Sequence, residues 1–149
     1  MKKALVTVMM VLGVAAVAFS EHHGDTVIPA KISKEDMTGK IFERDNMIRK
    51  EHDNGNVTLD VTTLLSSDKK FASGMYRAGK SHFEATEPYG VDEFMYFLEG
   101  SVTLTSADGS VQTINAGEAV TIPKEWTGIW DTDGYTKIWV IYSEDGSGL

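Results

Sequence analysis

Between Val57 and Tyr142 the chain is a succession of short alternating segments, broken by glycine at positions 74, 79, 90, 100, 109, 117, 128 and 134. Successive side chains of a strand point to opposite faces, so alternation marks a half-buried strand. Turn signals at intervals of roughly 8 to 12 residues mark an all-β sandwich or barrel. Val57, Leu59 and Val61 share one face, and further strands are expected at 71–76, 82–86, 93–98, 102–105, 111–114, 119–122, 127–130 and 137–142. Asp108-Gly109 reads as a tight hairpin, because both residues tolerate positive φ. No helical pattern alternates with the strands, which excludes a parallel α/β sheet. The one helical signal is Ser33-Lys-Glu-Asp-Met37, an N-cap with acidic residues in the first turn, and it predicts a single short turn.

The N-terminus follows different rules. Lys2 and Lys3 precede an apolar run from Ala4 to Phe19, and small residues follow. That is the pattern of a secretory signal, and the run is shorter than the roughly 20 residues of a spanning helix. Cleavage is expected after Ala18 or Ser20, giving a periplasmic or secreted protein with no stable membrane association; an uncleaved anchor is the alternative. Losing Lys2 and Lys3 takes the formal net charge from −8 to −10. The expected division is a signal peptide (1–20), an N-terminal extension with a short helix (21–56), the β domain (57–143) and a tail (144–149). Cleavage after Ser20 would put His23, next to His22, third from a free amine, an arrangement that chelates Cu(II) or Ni(II); a plain polar leader is the simpler reading.

The charge argues against nucleic acid, whose binding needs clustered Lys and Arg. The absence of cysteine excludes disulfides, thiolate zinc sites, a cysteine nucleophile and a lipidated N-terminal cysteine. There is no Gly-x-Ser-x-Gly elbow. Gly74 to Ser81 formally matches a phosphate-binding loop, but its flanks alternate as strands and no helix pattern follows.

Two spacings narrow the fold. Glu93 stands seven residues before Gly100, and Gly117 stands six before Pro123, with the hairpin between them. Together they resemble the two halves of the cupin signature. Pro123-Lys-Glu-Trp-Thr-Gly-Ile-Trp130 and the later Lys137 look more narrowly like the cupins of ureidoglycine aminohydrolases and ethanolamine utilisation. The resemblance implies a double-stranded β-helix, or jelly-roll, barrel with a short N-terminal extension, commonly a homodimer, with a small-molecule site in its mouth.

It also implies a divalent metal held by His-x-His, the motif Glu and a later His. Here the first two places hold Thr86 and Pro88, or Glu87 and Tyr89, and the last holds Gly128. Glu93 alone remains, and one carboxylate is too few for a transition metal. No cofactor is therefore expected, with a substitute Fe, Mn or Zn site from His82, Glu84 and Glu93 as the alternative. By parity Met95 joins Glu93 inside the barrel, and Trp126 and Trp130 flank the space left by Gly128. Glu93, Met95, Trp126, Trp130, Lys137 and Tyr142 are the expected ligand-binding residues, with Tyr96, Tyr142 or Lys137 as hydrogen-bond partners of Glu93. Three functions stay open: an exported binder of a sugar, amine or ureide-like metabolite; a hydrolase, lyase or isomerase using Glu93 as acid or base; and a protein-interaction module.

Overall fold

A computed structural model describes residues 26–149. The expected signal segment and the His22–His23 pair lie outside the described residues. The chain runs through α1 (Lys34–Met37), a 3-10 turn (Lys40–Glu43), β1 (Ile48–Glu51), β2 (Val57–Leu65), β3 (Phe71–Ala85), β4 (Asp92–Ser106), β5 (Val111–Asn115), β6 (Ala119–Ile122) and β7 (Gly128–Tyr142). All strand pairs are antiparallel, in the order β1-β2-β3-β7-β4-β5, with β6 also on β4.

Three of these strands have 15 residues each, a length of roughly 50 Å if straight. They do not stay straight. Gly79 pairs with Gly134, Gly100 with Tyr135 and Ser101 with Gly134, so three glycines meet on one line across β3, β7 and β4. Gly134 has φ +133° and Gly100 φ +71°, and a Cβ on Gly100 would lie 2.0 Å from the Gly134 carbonyl oxygen. The sheet bends along this line and closes over itself as a barrel. The segments expected separately at 71–76 and 82–86, 93–98 and 102–105, and 127–130 and 137–142 are therefore the two arms of β3, β4 and β7. Glycine here bends a strand that continues. At Gly109 (φ +84°) and Gly117 (φ +86°) it makes true turns with open space around the α-carbon.

The sheet is covered on both sides. Inside lie Met95, Phe97, Val102, Leu104, Ile122 and Trp130. Outside, Ile41 and Phe42 of the 3-10 turn pack on Val61 and Met75. The turn is held in place by α1, where Ser33 and Asp36 form a reciprocal capping box and Arg44 donates to Asp36 at 2.9 Å. Those bonds, first that from the Ser33 backbone, hold the Asp36 carboxyl below its ordinary value.

Candidate functional site: a buried ion pair beneath the barrel mouth

β4 enters the barrel with alternating faces. Glu93, Met95 and Phe97 are buried, whereas Phe94 and Tyr96 are exposed. On the neighbouring strand, the Lys137 ammonium donates to Glu93 Oε1 at 2.6 Å and lies 2.9 Å from Met95 Sδ. Both side chains of the pair are almost completely buried. The ammonium also faces the rings of Tyr76 and Trp130, each 5.5 Å away, and of Tyr135 at 5.9 Å. A cation over aromatic faces is attracted by the ring quadrupoles, more strongly where water is excluded.

The second oxygen of Glu93 is also taken. Tyr89 donates its hydroxyl to Oε2 at 2.5 Å. Burial, and then the Glu93 charge, push the Tyr89 phenol far above its ordinary value, so its proton stays in this bond. Burial raises the Tyr135 phenol as well. Glu93 therefore has a donor on each of its oxygens. Trp130 stacks on Phe83 at 5.7 Å, and its buried Nε1 has no partner among the described residues.

Above the pair is a cavity of about 190 Å³ whose lining includes Asp60, Thr62, Tyr76, Glu93, Trp139 and Ile141, with Gly148 and Leu149 at its rim. Register explains why these residues meet: Asp60 pairs with Tyr76 and Tyr76 with Lys137, forming one cross-strand row. Trp139 donates to Asp60 at 3.2 Å. Its ring fits only because residue 74 is glycine, since a Cβ there would lie 2.6 Å from Trp139 Cζ2 and 2.1 Å from the Val61 carbonyl oxygen. Burial raises the Asp60 carboxyl above its ordinary value; Trp139 and Lys137 pull it down, and Glu93 adds a smaller upward push. The segment after β7 reaches the rim by a turn in which Ser147 Oγ donates to Asp145 at 2.6 Å, and the Ser143 amide donates to the Lys70 carbonyl.

The structure brings Glu93, Met95, Trp130 and Lys137 together. Trp126 lies beside them, edge-on to Tyr89 and donating to Ser106 Oγ at 3.1 Å. Two expectations are corrected. The place a side chain at Gly128 would take is already filled, because a Cβ there would lie 2.2 Å from the Thr105 carbonyl oxygen and 2.8 Å from Trp126, and Gly128 borders a separate cavity with Glu84, Thr86 and Ser106. Tyr142 is on the outward face of β7, paired with Phe71 and half exposed, so neither it nor the exposed Tyr96 supports Glu93. The residues that sequence reasoning missed are Asp60, Tyr76, Tyr135 and Trp139, together with Tyr89 as the partner of Glu93. Tyr89 could have been found, since it stands at one of the vacant imidazole places.

The substitute metal set does not assemble. Glu84 pairs with Ile129 and Glu93 with Ile141, near opposite ends of β7. His82 is exposed and faces Asp131 at 3.6 Å. Among the described residues no three His, Asp or Glu side chains are placed to hold a metal. Nor does the cupin metal position fit one, because an ammonium 2.6 Å from Glu93 would repel a dication.

The two motif halves thus sit on adjacent strands, β4 and β6, around one barrel mouth. A family model described as the EutQ-like cupin domain matches residues 65–137. Residues 65–137 are a EutQ-like cupin domain. Solved structures agree on the fold. The EutQ protein of Clostridium difficile is similar with a TM-score of 0.53 and 20% identity, over 67% of this chain and 78% of that one. A DUF861-family protein from Pseudomonas syringae is similar with a TM-score of 0.58 and 16% identity, over 64% of this chain and 43% of that one. Ectoine synthase from P. lautus is similar with a TM-score of 0.54 and 13% identity, over 69% and 72%. No curated protein matches the chain. Within the cupin domain, Glu93 and Gly100 are the first motif and Gly117 and Pro123 the second.

Proposed function

We propose that this cupin is a binding protein for a small polar molecule, which it takes into the mouth cavity without a metal. One observation carries the proposal: the cavity ends on Glu93, whose two oxygens are held by Lys137 and Tyr89. A carboxylate whose two oxygens are both engaged by the protein is a rigid anchor, which favours binding over acid–base turnover. Asp60, Tyr76 and Trp139 supply the remaining polar and aromatic contacts.

A thermal-shift screen of sugars, ureides and amines, with and without divalent metals, tests this. A metal-independent rise in melting temperature is expected, and it should vanish in Thr62→Trp, which places a large ring at the mouth. A response that appears only with metal, or one that Thr62→Trp leaves intact, refutes the assignment.

Export and self-association belong to the same proposal. The lysine-led apolar N-terminus supports cleavage after Ala18 or Ser20, which the mass of the mature chain would show. The outward row of Phe71, Phe94, Tyr96 and Tyr142 supports a homodimer. Light scattering should give twice the chain mass, and a monomer at micromolar concentration would refute it.

A further inference from the structure

We infer that the ligand of the mouth cavity is a small ammonium ion, read by Asp60; the inference rests on the binding role proposed above and narrows it to one chemical class. Charge makes the first argument. Two carboxylates, Asp60 and Glu93, border the cavity, and one ammonium, Lys137, answers them. That ammonium is already engaged by Glu93, the Met95 sulfur and three aromatic rings. Among the described residues, Asp60 has only the neutral Trp139 indole as a side-chain donor. An anion entering the cavity would meet two like charges and, among the described residues, no free positive charge. A cation would find an under-satisfied carboxylate in a partly desolvated place, where charge-assisted hydrogen bonds are strongest.

The walls make the second argument. Tyr76 and Trp139 border the cavity beside Asp60. Such rings attract an ammonium or its alkyl substituents and offer little to a polyhydroxylated ligand beyond stacking. Tyr76 already faces one ammonium in this barrel, that of Lys137. Size limits the rest: a cavity of about 190 Å³ equals roughly six waters at about 30 Å³ each, room for an alkylammonium of a few heavy atoms. Leu149 at the rim supplies an apolar contact for its chain.

Calorimetric titrations with n-propylammonium, glycerol and acetate at constant ionic strength, on the full chain and on Asp60→Asn, test this. Asparagine can still accept the Trp139 bond and removes a buried charge, so the variant should fold. Propylammonium should bind the wild type, acetate should not, and Asp60→Asn should weaken propylammonium by about ten-fold or more, the scale of a hydrogen bond to a charged group. Equal propylammonium binding by Asp60→Asn, or acetate binding as tight as propylammonium, overturns the ammonium assignment. Glycerol bound at a site closed by Thr62→Trp, with no propylammonium binding, overturns the ligand class and leaves the binding role standing. No binding by any of the three overturns both.

Discussion

Lys137 takes its strength and its vulnerability from the same neighbours. Removing one member of a buried ion pair strands the other charge, typically at a cost of about 3–5 kcal/mol. Lys137→Met should destabilise the barrel by that order in urea unfolding. The double variant Lys137→Met with Glu93→Gln should recover most of the loss, because no buried charge is left alone. Asp60 works in the opposite direction. Its raised carboxyl means that the folded state holds its proton more tightly than the unfolded chain does. Its contribution to stability should therefore fall as pH rises from the unfolded value of about 3.9 through the folded one. Tyr76, Trp139, Lys137 and Glu93 face Asp60 from β3, β7 and β4. Asp60→Asn should remove this slope, and unfolding curves of the two proteins across pH would show the difference. At this scale the clustering of Glu93, Met95, Trp130 and Lys137 was legible in the sequence, and of these four Glu93 lines the cavity. Asp60 was not, because β2 turns its apolar residues Leu59 and Val61 toward Phe42 and Ile41 outside the barrel. Its polar side is the inner one, the reverse of the usual pattern.

The long strands depend on glycine in two ways. Gly74 gives Trp139 its place, so Gly74→Ala should cost about 1–3 kcal/mol through overpacking and displace the indole from the cavity wall. Trp139 and Asp60 then lose their bond, and near-ultraviolet circular dichroism together with ligand titration would register both effects. Gly79, Gly100 and Gly134 were harder to read. In a single sequence, a glycine that ends a strand and one that folds it look the same. They differ in what lies opposite, and that is set by register across β3, β7 and β4. The Asp108-Gly109 hairpin and the α1 cap were readable because each is completed within a few residues: Ser106 and Ser110 bond across the hairpin, and Ser33 bonds Asp36. Ser33→Ala should cost about 1 kcal/mol, measured by thermal or urea unfolding, because it removes the cap that anchors the 3-10 turn.

For the whole molecule, the motif spacings carried the fold because Glu93, Gly100, Gly117 and Pro123 all lie on or beside β4 and its partner hairpin. The missing imidazoles announced a changed site without saying what replaced them. The replacement came from residues distant in sequence: Lys137 pairs with Glu93 across β7 and β4, and Asp60 arrives from β2. The cavity that they form is closed partly by the segment after β7, where Gly148 and Leu149 sit at the rim. Hydrogen bonds from Ser147 and Ser143 hold the Asp145 carboxyl near about 2, so this turn stays intact in mild acid. Laboratory handling has to respect that arrangement. An affinity handle or fluorescent protein inserted beside Gly148 and Leu149 would sit against the mouth of this cavity. The Asp108-Gly109 hairpin, at the far end of β4, is the better place to attach a label.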